Sequence, residues 1–195
     1  MYYRNNLDYA LNSLEPFISR DTMDVHYNTL FKKYTDGLNS EIHTEICVKE
    51  ILKNYKSYPT SVRNNAGGYN NHFLYFENIS PYYYDYSTHS SYMLKSLIDD
   101  HFQSYENFYK IFKDMGMKVF GSGWVWLIEK NNRFSIVTTS NQDNPLMAYD
   151  CNILLAMDVW EHSYFLDTKA NREKYIENFF NVINWKKLSE RLYDY

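Results

Sequence analysis

The chain is poor in cysteine: Cys47 and Cys151 are the only two in 195 residues, and they do not form a C-x-x-C pair. That excludes a fold stapled by disulfides and fits a reducing compartment. No window approaches the roughly 18 continuous apolar residues of a membrane span. Met1 to Arg20 shows no basic start followed by an apolar run, so no secretory leader is expected and a cytoplasmic location is. Positive charge is not in excess either. Lys and Arg number 20 against 24 Asp and Glu, a formal net charge of −4. A mildly acidic chain is not built to hold nucleic acid by bulk charge. Tyrosine, by contrast, is abundant at 21 residues. The length suffices to bury a core without metal or disulfide support.

The pattern predicts an α+β fold: an N-terminal helical hairpin, then an α/β domain with a three-stranded antiparallel sheet. Asp21 reads as a helix cap, and Thr22 to Ile42 carries apolar residues at helical spacing. Glu45 to Tyr55 reads as a short helix, ended by Tyr58-Pro59. Asn64 to Asn78 reads as helix despite Gly67 and Gly68, which each cost roughly 1 kcal/mol there. Something must require small residues at that point. Ser80-Pro81 and the cluster Tyr82, Tyr83, Tyr84, Tyr86 read as a linker between an N-terminal domain, 1–81, and a C-terminal domain, 87–195. Ser91 to His101 and Ser104 to Met117 read as helices. Trp124 to Lys130 and Phe134 to Ser140 alternate like strands, and Asn131-Asn132 between them predicts a tight hairpin. Ile153 to Trp160 is a third, apolar strand. The remainder reads as helical, with a break at Asn181 to Trp185.

Of six histidines, His43, His89 and His101 sit in polar surroundings and read as solvated. His26 shares a helix face with Leu30 and Tyr34 at i+4 and i+8. His72 lies one turn after Gly68. His162 follows Asp158 by four residues at the end of an apolar strand. A carboxylate among Met157, Val159 and Trp160 is costly unless it is paired or binds metal. On residues alone two readings stand: a metal site, or satisfied core histidines.

Asp158-Val159-Trp160-Glu161-His162 resembles the signature of the iron/manganese superoxide dismutase family. The likeness runs nearly end to end. It takes in Leu7-Asp8-Tyr9-Ala10-Leu11 with Leu14-Glu15-Pro16, Asn64-Asn65-Ala66-Gly67-Gly68 with Asn71-His72, and Gly121-Ser122-Gly123-Trp124 with Trp126. Asn141-Gln142-Asp143 with Pro145-Leu146 and Asn181-Val182-Ile183-Asn184-Trp185 complete it. The resemblance implies one metal ion, Mn with Fe possible, held by His26, His72, Asp158 and His162 with solvent as a fifth ligand. It implies disproportionation of superoxide to O₂ and hydrogen peroxide as the metal cycles between +3 and +2. In this family a glutamine tunes that chemistry. Manganese types take it from the sheet, where Gln142 stands. Iron types take it from four positions before the second histidine, where Gly68 stands. The pairing of Gly68 with Gln142 is therefore the manganese arrangement, and it suggests that Gln142 needs the space Gly68 leaves. The short Met147 to Asn152 loop and Ala156 lean toward iron types.

The resemblance also implies Tyr34 as a gateway tyrosine in the proton relay, Trp124 and Trp160 as an aromatic wall, and Arg172 as a funnel residue that attracts the anion. Glu161 would reach the partner's His162, making a homodimer part of the catalytic unit. The short chain between Ile42 and Pro59 hints at a dimer rather than a tetramer. The chain departs from the pattern at three places. Leu30 stands for a usual histidine, Phe165 for the tyrosine that pairs with it across the interface, and Phe76 for a common tryptophan. Losing both members of one hydrogen bond can be nearly neutral, whereas losing one leaves a buried polar group unsatisfied. Leu30 against Phe165 of the partner subunit would then form an apolar gate. A second reading follows from these departures: a metal-binding paralogue with weak dismutase activity, acting as a metal buffer or interaction protein. A metallohydrolase fits poorly, because no spare carboxylate stands ready as general base.

Overall fold

Ser19, not Asp21, opens the first helix. Its hydroxyl accepts from the Thr22 N–H, while Asp21 sits in the first turn, where its charge meets the positive helix end. The computed structural model describes residues 1–82 and 84–192. The first helical run has three parts: α1, Arg20–Met23; a π-helical stretch, Asp24–Phe31; and α2, Lys32–Glu41. The expected helix is thus present but wider in the middle. A π turn closes i to i+5, and such turns often mark functional sites. Here it carries His26, which is buried, while Leu30 and Tyr34 are half-buried.

Helix α3, Val48–Lys53, is shorter than Glu45 to Tyr55, and a 3₁₀ turn at Tyr55–Ser57 finishes the connection. Helix α4, Thr60–Asn78, starts four residues before Asn64 and packs antiparallel to α2 as the second arm of the hairpin. Helix α5, Tyr86–His89, begins at the last tyrosine of the cluster, and Tyr83 lies outside the described residues. Tyr86 is not a free linker side chain: it stacks on Tyr105 at 4.2 Å and meets Trp185 edge-on. Helices α6, Tyr92–Phe102, and α7, Tyr105–Lys118, match expectation, capped by Ser91 and Ser104. His101 is not fully solvated. It is half-buried against Phe134, and its Nδ1 lies 2.8 Å from the Leu97 carbonyl.

Strands β1, Gly123–Lys130, β2, Arg133–Ser140, and β3, Asn152–Asp158, form one antiparallel sheet in the order β2-β1-β3. Asn131 and Asn132 both take positive φ, as a two-residue hairpin of this twist demands. Strand β3 stops at Asp158, short of the expected Trp160, because Asp158 Oδ1 accepts from the Trp160 N–H and turns the chain. The register sets Trp124 opposite both Thr139 and Asp158. Since β1 runs against both neighbours, one end of the sheet gathers the start of β1 and the ends of β2 and β3. That end faces α4.

Helices α8, Phe165–Thr168, α9, Arg172–Phe180, and α10, Trp185–Arg191, complete the chain. Asn78 laces the hairpin to the sheet: its Oδ1 accepts from the Ala156 N–H and its Nδ2 donates to the Leu154 carbonyl. A short bridge between Ile79 and Ile183 ties the end of α4 to the expected break before α10. The core between the parts is apolar and aromatic, with Trp124, Trp126, Trp185, Tyr75 and Phe31 fully buried. Among the described residues no helix is long and apolar enough to cross a membrane.

Candidate metal centre

Four side chains from four elements converge between the hairpin and the sheet end. The π-helical stretch supplies His26, α4 supplies His72, β3 ends in Asp158, and the following 3₁₀ turn at Glu161–Ser163 supplies His162. One possible ligand atom from each lies within 4.8 Å of all the others. Asp158 Oδ2 is the hub, 3.0 Å from His162 Nε2, 3.2 Å from His26 Nε2 and 3.8 Å from His72 Nε2. Its other oxygen is fixed by the Trp160 N–H at 2.8 Å, so the carboxylate cannot rotate away.

The imidazoles are arranged to bind a cation, not merely to fill a core. His72 Nδ1–H donates to the Gly68 carbonyl at 2.6 Å, which leaves the Nε2 lone pair facing the cluster. His72 Nε2 and both His26 nitrogens are buried without a hydrogen-bond partner. His26 Nε2 is close to Asp158 but not aligned as a hydrogen bond. Orphaned buried nitrogens of this kind are rare and costly. An ion at the cluster would take the Nε2 lone pair of His72 and that of His26, so the residues fit a metal. Three imidazoles and one carboxylate suit Mn or Fe.

The electrostatics agree. Burial, reinforced by His26, pushes the His72 imidazole down to about 3, so it stays neutral. Burial also lowers His26 against the pull of Asp158. Burial alone would raise the Asp158 carboxyl, but His162 and His26 outweigh it and hold the group well below the usual carboxylate range. Neutral imidazoles and an ionised carboxylate are the metal-binding forms.

Gln142 and Tyr34 meet beside the cluster, with Gln142 Nε2 donating to Tyr34 Oη at 3.1 Å. The Tyr34 ring lies 5.2 Å from the His72 ring. Its hydroxyl is raised above the ordinary tyrosine range, first by burial and then by the Asp158 charge, against the effect of Gln142. The two helix glycines divide their work differently from the expectation. A Cβ on Gly68 would strike the Tyr34 ring at 2.4 Å, so Gly68 makes room for tyrosine. A Cβ on Gly67 would lie 2.0 Å from the Gln142 carbonyl oxygen, so Gly67 admits the loop that carries Gln142.

Trp124 is buried and meets His72 edge-on at 5.3 Å, and Trp160 lies 5.5 Å from His162. Trp160 Nε1 also donates to the Asn141 carbonyl, tying the Gln142 loop to the end of β3. Phe76, at the tryptophan position, packs on His26 at 5.0 Å. Glu161 is exposed, and the adjacent His162 keeps 17 % of its side chain exposed. Phe165, three residues further on, is exposed. Arg172 spreads its guanidinium over the carbonyls of Val119 and Gly121 and donates to the Tyr164 hydroxyl, so it braces the turn before β1.

Asn71 is the site residue that the sequence reading did not single out. Its Nδ2 lies 3.3 Å from Gln142 Oε1 and 3.2 Å from the Gln142 carbonyl, and its Oδ1 accepts from Asn144. Holding Oε1 turns the Gln142 amide so that Nε2 faces Tyr34. The signal was available: Asn71 stands four residues after Gly67, on the face that meets the loop.

Two family models match the chain. Residues 1–80 match iron/manganese superoxide dismutases, alpha-hairpin domain, and residues 89–191 match iron/manganese superoxide dismutases, C-terminal domain. Superoxide is that family's substrate and Mn or Fe its metal, and the buried His/Asp cluster is a site of the same type. On these matches, which together cover most of its length, the chain belongs to the iron/manganese superoxide dismutase family.

Proposed function

We propose that this chain is an active, manganese-loaded superoxide dismutase working as a homodimer. The observation that carries the reading is the contact of Gln142 Nε2 with Tyr34 Oη beside the His26, His72, Asp158 and His162 cluster. A buried glutamine amide is held by Asn71 on one side and Tyr34 on the other, which a mere metal store would not need. When bound, the ion supplies the electron acceptor and donor for the two halves of 2 O₂⁻ + 2 H⁺ → O₂ + H₂O₂.

The chain's own residues then manage charge and protons. Asp158 supplies the single carboxylate of the set, and Gly68 fixes the His72 tautomer through Nδ1. Tyr34 keeps its phenolic proton at neutral pH, as an ordinary tyrosine does, and burial raises its hydroxyl further. Gln142 holds that proton's oxygen in place. Tyr34 Oη is therefore the proton donor at the mouth of the site. Trp124, Trp160 and Phe76 exclude bulk water from the imidazoles. Arg172 keeps a positive charge beside the turn at Gly121, and in this reading it attracts the anion in an otherwise acidic chain.

The manganese assignment rests on Gln142 coming from the sheet loop while position 68 has no side chain. The dimer assignment rests on Glu161 and Phe165, which are exposed beside His162. Leu30 and Phe165 of the partner subunit form the apolar gate in place of the histidine–tyrosine pair that the family resemblance implies there. The paralogue reading, a metal buffer with weak activity, draws only on Leu30, Phe165 and Phe76. Superoxide consumption by protein stripped and reloaded with counted Mn or Fe separates the two.

A further inference from the structure

Three residues on one face of α4 grip the loop that carries Gln142. They are Arg63, Gly67 and Asn71, spaced i, i+4, i+8. Asn71 binds the loop by its amide, and Gly67 admits it by having no side chain. Arg63 grips it by charge. Its Nε donates to Asp143 Oδ1 at 2.9 Å and its Nη2 to Asp143 Oδ2 at 2.7 Å. The Thr139 hydroxyl, bonded in turn by Trp126 Nε1, holds the Asp143 carbonyl at 2.7 Å. The Arg63 guanidinium also lies over the Tyr55 ring, 4.8 Å from its centroid.

Most exposed ion pairs do little, because solvent screens them and two long side chains must be ordered. This pair differs in geometry. It is a two-pronged fork, which fixes direction as well as distance. Its acceptor is also the immediate neighbour of Gln142. The loop cannot shift toward α4, since the Gln142 carbonyl already rests on Gly67. Arg63 stops it from shifting away.

We propose that Arg63 is a positioning residue: its fork on Asp143 holds the loop against α4 and so sets where the Gln142 amide meets Tyr34. The inference rests on the proposed function in placing Gln142 at the reaction. Both Arg63 and Asp143 keep 36 % of their side chains exposed, so the clamp is open to ions in solution. Salt then acts on the site through a pair that touches neither metal nor substrate.

The test uses the metal-loaded full chain, with Arg63→Gln, Arg63→Lys, Asp143→Asn and Gln142→Ala. Crystal structures read the separation of Gln142 Nε2 and Tyr34 Oη, 3.1 Å in the parent. Kinetics read kcat and KM for superoxide against ionic strength. Arg63→Gln is expected to lengthen that separation and lower kcat about tenfold with KM unchanged, since small misplacements cost heavily. Arg63→Lys restores part of kcat, because a point charge lacks the fork. The parent's kcat falls with salt, and that of Arg63→Gln does not. Asp143→Asn gives the same result and serves if Arg63→Gln does not fold. An unchanged separation and unchanged kcat in both variants overturns the clamp. A lengthened separation, with Gln142→Ala as fast as the parent, leaves the clamp standing and removes Gln142 from the proposed mechanism.

Discussion

Gln142 Nε2 donates to Tyr34 Oη at 3.1 Å, joining residues 108 positions apart. The bond ties a sheet loop to the first arm of the hairpin beside the cluster of His26, His72, Asp158 and His162. Gln142→Ala removes it and leaves Tyr34 Oη without its partner. Turnover of the Mn-loaded protein is expected to fall about 10–100-fold, as for other groups that support metal ligands. Metal content, counted by elemental analysis, should stay near one ion per chain.

The two glycines predict unequal damage. Gly67→Ala drives a methyl group into the Gln142 carbonyl, which is backbone and held by Asn71. It should cost about 1–3 kcal/mol and displace the loop. Gly68→Ala meets the Tyr34 ring, which can swing on its own χ1. Its stability loss should be smaller and its effect on activity larger. Thermal unfolding and superoxide turnover, read side by side, check both.

The cluster makes the metal-free protein acid-sensitive. In the folded state His72 is pushed down to about 3 from the ordinary 6.5. Between those values the unfolded chain takes up a proton that the folded chain refuses. Stability therefore falls as pH drops through that window. Asp158 acts in the same direction lower down, because its folded carboxyl lies below the usual range and protonation removes its pairing. Urea midpoints of metal-free protein should fall steadily from pH 7 to pH 4. His72→Gln should flatten the upper part of that slope.

Leu30→His alone should not improve the dimer. It introduces a polar ring that has no tyrosine opposite, at a cost of about 1–3 kcal/mol if buried in the interface. Pairing it with Phe165→Tyr should recover that loss. Sedimentation at falling concentration reads the dimer, and turnover reads the relay. If Leu30→His alone strengthens both, the apolar gate is the wrong account.

Much of the fold is legible because it depends on local chemistry. Asn131-Asn132 specify a turn whose positive φ values few other residues adopt cheaply, and the flanking alternation specifies the strands. Asp158 and His162 of the cluster are legible as one motif, since their spacing comes from one strand end and one turn. Other features depend on distant parts meeting. The π-helical stretch at His26 is not visible in the apolar spacing, which reads as one continuous helix from Thr22 to Ile42. Gly67 and Gly68 announce a need for space, but only the packed structure says which of Tyr34 and the Gln142 loop takes which space. The resemblance offers Arg172 only as a funnel residue, and the carbonyls it donates to come from a turn some fifty positions earlier, which no local pattern announces.

The central claim is that the Gln142, Tyr34 and four-ligand arrangement makes a working manganese enzyme. Superoxide consumption by protein stripped and separately reloaded with Mn and Fe, with bound metal counted, tests it most directly. The account predicts fast turnover with Mn and much slower turnover with Fe at equal occupancy. Full occupancy with negligible turnover from either metal would contradict it and bring the metal-buffer reading forward.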